Sequence, residues 1–167
     1  RDNELEYSSL KKKAEPIELS SRLFDSDAYY YSNLNYNVHL TEDGSRLFYP
    51  DKMEDNEFVL YYRDINKKNA DSVRVDSGVS YYCINTDGTK VLYEKGGYPD
   101  YTLYMYDLKN EEKQKLFSEV GNWHISEDFS QICFLDEENT LYIAKVGEKK
   151  EKIEKDVKQF YVQKDDK

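Results

Sequence analysis

At 167 residues and 19.9 kDa the chain has room for one domain with a substantial core. Its formal net charge of -10, from 24 basic against 34 acidic side chains, repels phosphate backbones and anionic lipid surfaces, which excludes nucleic acid and the membrane surface as partners. No run approaches the roughly 18 apolar residues of a spanning helix, so direct membrane insertion of this segment is excluded too. Charged residues make up 35% of the chain, yet 15% are aromatic and 17 are Tyr, a content that points to a packed β-protein rather than a disordered one. The chain opens on Arg1 without a Met and is expected to be a mature or excised piece.

In chain order, Glu4 to Leu19 (ELEYSSLKKKAEPIEL) reads as the last two strands of a repeat that begins upstream. Leu19 to Asn35 is then a connection about a dozen residues longer than its later counterparts, and it carries Tyr29, Tyr30 and Tyr31. A first strand follows at Tyr36 to Leu40 and recurs at Ser80 to Ile84 and Gly121 to Ile125. Each copy leads into a tight turn, written TEDGS, NTDGT and SEDFS, in which Asp-Gly is expected to supply positive φ angles for a two-stranded hairpin. The third copy holds Phe129 where Gly belongs, and that turn is expected to change type or to carry strain.

The second strand reads RLFY from Arg46, KVLY from Lys90 and QICF from Gln131, apolar on both faces as a strand between neighbouring sheets should be. The third carries a Leu-Tyr pair three times, at Leu60 and Tyr61, Leu103 and Tyr104, and Leu141 and Tyr142. The fourth is short and charged and holds Val75, Leu116 and Ile153, each four residues before the Val (Val79, Val120, Val157) that opens the next copy. Glu148 to Gln159 is read as such a strand with flanking turns rather than as a solvated helix. Lys158 to Lys167 restarts the first strand, with Asp165 in the place of the turn aspartate.

Superimposing Asp43, Asp87 and Asp128 gives spacings of 44 and 41 residues, the period of one four-stranded propeller blade. The expected fold is therefore all-β: a propeller-like array of antiparallel blades forming one domain over 1–167, with repeats at about 35–79, 79–120 and 120–157 and partial ones at 1–23 and 158–167. A piece cut from a larger propeller is favoured over a ring of four blades closed by the two ends. Unpaired blade edges would allow self-association.

The lines HLTEDGSRLFY and CINTDGTKVLY, and less closely HISEDFSQICF, resemble TolB-type and WD40-like bacterial β-propeller repeats over nearly the whole chain. The resemblance implies a scaffold, and a location outside the cytoplasm in a secreted or membrane-anchored bacterial parent, without fixing an activity. The Trp-Asp ending of WD40 repeats and the S-x-D-x-G-x-x-W box of sialidase-type blades are absent from the sequence, so neither function carries over.

No catalytic residue, metal ligand or cofactor site is expected. His39 and His124, the only bases for a hydrolase triad, share one position of the first strand, where the middle repeat has Cys83. Cys83 and Cys133 read as small buried hydrophobes. Asp25 with Asp27, and Asp136 with Glu137 and Glu138, lack a calcium-binding loop, and Gly96-Gly97 leads to no helix that would cradle a phosphate. The surface expected to bind is the face gathering the loops before the first strand and after the second: Tyr29, Tyr30, Tyr31, Asp51, Glu54, Asp55, Tyr98 and Asp100, tyrosines beside acids that suit a protein or glycan partner. The expected function is a non-catalytic interaction or sensing domain of a larger protein. The alternatives are a glycan- or peptide-binding module, or the propeller portion of a hydrolase whose catalytic domain lies elsewhere.

Overall fold

The computed structural model describes residues 5–7, 17–20, 38–55, 57–67 and 69–162, and every regular element among them is a β-strand. The chain divides into two compact units, Arg1–Tyr82 and Cys83–Lys167.

In the first unit, β1 (Leu5–Tyr7) and β2 (Ile17–Ser20) pair antiparallel. A four-stranded antiparallel meander follows: β3 (His39–Leu40), β4 (Arg46–Glu54), β5 (Glu57–Asp64) and β6 (Val73–Val79), paired in that order. Its core is aromatic. Phe48 lies 5.5 Å from the Tyr62 ring and Tyr82 lies 6.1 Å from that of Phe58, with Leu60 and Val79 fully buried in the same unit.

A sheet in sequential order makes up the second unit, whose boundary falls within its first strand: β7 (Tyr81–Ile84), β8 (Lys90–Lys95), β9 (Tyr101–Asp107), β10 (Glu112–Ile125), β11 (Gln131–Asp136), β12 (Leu141–Lys145) and β13 (Glu151–Glu154). Its seven strands are two four-stranded repeats that share β10. From Glu112 to Val120 that strand pairs with β9, and from Val120 to Ile125 it pairs with β11. The corner falls at Glu119, whose φ of 58° accompanies a register shift, the signature of a bulge that bends a strand. Gly78 (φ 65°) and Asp156 (φ 56°) hold the same place before Val79 and Val157, so the junction between blades recurs with the repeat. Leu92, Leu103, Val120, Phe129, Ile132, Phe134 and Ala144 form the core, with Cys83, Trp123 and Tyr142 packed against it. β13 confirms a strand where the charged 148–159 segment allowed a helix.

The registers agree across repeats. Tyr49 sits opposite Tyr61, Tyr93 opposite Tyr104 and Phe134 opposite Tyr142, with ring centroids 5.9, 5.5 and 5.5 Å apart. Cross-strand aromatic pairs of this kind stabilise a register by several tenths of a kcal/mol, up to about 1 kcal/mol each. All three therefore oppose a slip that would turn every side chain to the wrong face.

The three first turns share one hydrogen-bond pattern, and it differs from the expected one. Thr41, Asn85 and Ser126 each accept, at the backbone carbonyl, from the residue three further on (2.8 to 2.9 Å). Only that residue, Gly44, Gly88 or Phe129, has positive φ; the aspartates do not. Asp43 instead accepts from the Thr41 hydroxyl (2.6 Å) and the Ser45 amide (2.9 Å). Asp87 and Asp128 do the same with Asn85 and Thr89, and with Ser126 and Ser130. Phe129 keeps the common turn at a φ of 58° rather than changing its type, and its ring is 3% exposed in the core.

One boundary moves. Strand β4 runs through Pro50 to Glu54, so Asp51 belongs to the strand, opposite Val59, rather than to a loop. Among the described residues β3 pairs only with Leu47 and Phe48. Pro50 itself pairs with Leu60 of β5.

Candidate functional site

The β8–β9 loop of the second unit, residues 96–100, is built from the backbone outward. Gly96 has a φ of +92°, and a Cβ there would meet the Asp100 carbonyl oxygen at 3.2 Å, so both conformation and space require glycine. The Asp100 amide donates to the Gly97 carbonyl at 2.8 Å, and the Tyr98-Pro99 bond is cis. This frame holds the Tyr98 ring out, 70% exposed, with its edge set against Tyr101 at 6.4 Å between centroids. Such a ring contributes little to the fold and offers a large amphipathic contact.

Below the loop lies a buried acid that the sequence did not single out. Glu94, in β8 and 9% exposed, accepts a 2.7 Å hydrogen bond from the Trp123 indole of β10. Burial raises its pKa, and the Trp123 bond partly offsets that. Burial foremost, and then the Glu94 charge, raise the phenol of Tyr101. The same two causes push the Cys83 thiol up to about 12, so Cys83 stays protonated at neutral pH and is no nucleophile. The only Trp of the chain was the available signal, since a buried indole N–H needs an acceptor.

The other expected residues divide between the units. Asp51 is half-buried in β4, while Glu54 and Asp55 are exposed at the β4–β5 hairpin, with Asp55 at a φ of 49°. Tyr98 and Asp100 come together in the loop described above. Tyr29, Tyr30, Tyr31, Asp25, Asp27 and Asp165 lie outside the described residues.

His39 and His124 serve the sheet. His39 pairs with Phe48 in register and meets the Tyr82 ring edge-on at 5.1 Å, and His124 pairs with Cys133. Both cysteines are free thiols. Asp136 folds the β11–β12 turn by accepting from the Glu138 and Thr140 amides at 3.0 and 2.8 Å. A shallow groove of about 530 Å³ runs between Asn122, Trp123 and His124 on one side and residues 158–162 on the other, and it too escaped sequence reasoning. Among the described residues no three His, Cys, Asp or Glu side chains converge as a metal centre, and no helix is long and apolar enough to cross a membrane.

No family model and no curated protein matches the chain. Among solved structures it is similar to the β-propeller domain of the Trilobed protease from Pyrococcus furiosus, at 13% identity over 71% of this chain and 42% of that one, with a TM-score of 0.49. It is also similar to TolB from Acinetobacter baumannii, at 14% identity over 70% of this chain and 31% of that one, TM-score 0.48. A third is the N-terminal domain of Nup159, at 16% identity over 72% and 30%, TM-score 0.49. The chain spans less than half the length of each. On its own strand order, shared β10 and threefold register, the fold of this chain is an open array of propeller-type blades.

Proposed function

We propose that the chain is a non-catalytic interaction module of a larger protein, and that it holds a protein or glycan partner through the Tyr98 loop. One observation carries the reading: a large ring is kept 70% exposed by a loop whose glycine, internal hydrogen bond and proline leave it little freedom. A rigid exposed tyrosine loses little entropy on binding, and Asp100 beside it adds an acceptor for hydroxyl or amide donors.

The non-catalytic part draws on how the reactive groups are used. The two histidines occupy one repeated sheet position, Cys83 is held as a thiol, and the turn aspartates are engaged in folding their own hairpins. The location outside the cytoplasm rests on the sequence resemblance to TolB-type repeats.

The test is to probe glycan and random-peptide arrays with the 167-residue chain and with Tyr98→Ala. The expected result is a set of wild-type signals that Tyr98→Ala lowers at least about tenfold, the loss of one central aromatic anchor. Equal signals from both proteins would remove Tyr98 from the reading. Turnover of peptidyl or glycosyl chromogenic substrates would overturn its non-catalytic part.

A further inference from the structure

The groove beside Trp123 in the second unit is walled by two copies of one pattern. With Val120 and Val157 superimposed, Asn122, Trp123 and His124 fall on Gln159, Phe160 and Tyr161. Each triple is an amide, a large apolar ring and a ring that carries a polar atom, and the two lie on opposite sides of about 530 Å³. The second triple is anchored at its start, where the Val157 amide donates to the Asn139 carbonyl at 2.9 Å. Gln159 also donates to the Tyr161 hydroxyl, which holds those two exposed side chains together. Trp123 and Phe160 are half-buried, so the groove has an apolar floor under a polar rim.

The Trp123 ring is fixed in place. Its N–H is bonded to the buried Glu94 at 2.7 Å, and its body packs on the core that holds Leu92 and Leu103. An indole with its polar edge engaged offers a ligand its apolar surface, at little entropy cost. Sugar rings fit such a floor and rim, since their C–H faces stack on aromatic rings while their hydroxyls bond to amides. A pattern that repeats across the groove suits a ligand built of repeating units. Charge narrows the class further. The chain carries a net -10, yet the described residues that line the groove include Lys158 and no carboxylate. A cation set in an acidic surface selects an anionic group.

We propose that this groove binds a linear oligosaccharide containing uronate residues. Trp123 and Phe160 lie under its sugar rings, Asn122 and Gln159 bond its hydroxyls, and Lys158 pairs with a carboxylate. The site stands independently of the Tyr98 loop.

Trp123 is the sole Trp, so its fluorescence reads the groove directly. The 167-residue chain is titrated at low salt with short oligosaccharides of polygalacturonate, alginate and hyaluronan, and with neutral cello-oligosaccharides of equal length. The expected result is a saturable change with at least one uronate, at a Kd of about 1 mM or below, and at least about tenfold weaker binding of the neutral sugar. Lys158→Glu, an exposed position, weakens uronate binding at least about tenfold, whereas Lys158→Arg keeps it within about threefold. Circular dichroism checks that both variants keep the fold. No saturable change with any of the three uronates up to about 10 mM overturns the proposal. Equal affinity for the neutral sugar, or undiminished binding by folded Lys158→Glu, overturns it as well.

Discussion

Phe129 combines two opposing effects that substitution can separate. Its backbone sits at a φ of 58°, where a side chain costs about 1 kcal/mol relative to glycine. Its ring is 3% exposed among Leu92, Leu103, Val120 and Ile132. Truncating a buried Phe to Ala costs about 3–5 kcal/mol, and Phe129→Ala keeps the backbone cost as well. Phe129→Gly loses the same ring but relieves the backbone, so it should be destabilised by about 2–4 kcal/mol and remain about 1 kcal/mol more stable than the alanine variant. That order reverses the usual one, in which Gly is worse than Ala. Gly44→Ala is the control for the backbone part: its φ is +66° and an added Cβ meets nothing within 4 Å, so about 1 kcal/mol should be lost from conformation alone. Urea unfolding followed by fluorescence of Trp123, the sole Trp, reads the second unit, and circular dichroism reads the control. An alanine variant as stable as the glycine one would refute the turn geometry. A glycine variant as stable as wild type would refute the packing of the ring.

Two further predictions concern pH. Because burial raises the pKa of Glu94 above its ordinary 4.5, its contribution to stability is full below that value and is lost as pH rises through the raised folded one. Glu94→Gln keeps an acceptor for the Trp123 indole without the charge; it should be more stable than wild type at neutral pH, by a margin that shrinks on acidification, and a margin independent of pH would count against a buried charge. Asp43 and Asp128 behave oppositely. Bonds from Thr41 and Ser126 foremost lower their pKa from 3.8 to about 2, so what they contribute is present above 3.8 and lost as pH falls through about 2. The amide resonances of Ser45 and Ser130, which donate to those carboxylates, should titrate near pH 2, and midpoints near 3.8 would contradict the bonding pattern.

The blade order was legible because it is written in local signals. The Leu-Tyr pairs and turn aspartates fix strand and hairpin within a few residues, and the rings of Tyr49 and Tyr61 then meet as alternation demands. Asp51 was misplaced because the apolar run RLFY stops at Tyr49, whereas the ladder with β5 carries the strand on through Pro50 and Asp51. At Phe129 the strain was legible and its compensation was not: the turn sequence reports backbone preference, whereas the core that receives the ring includes Leu92 of β8 and Leu103 of β9, far back along the chain. Glu94 was invisible as a site, since one acid among 34 gains meaning only when Trp123, 29 residues on, donates to it.

The shared strand β10 has a consequence for how such an array comes apart. A ladder that continues through Glu119 from β9 to β11 leaves no seam between the two repeats it serves. Detaching β11 to β13 strips hydrogen bonds from a strand the preceding repeat still needs, so the pair should open as one cooperative body rather than sheet by sheet. The repeat boundary at Val120 therefore falls inside a strand, and a deletion that ended there would cut β10 and take part of the ladder from each of two neighbours.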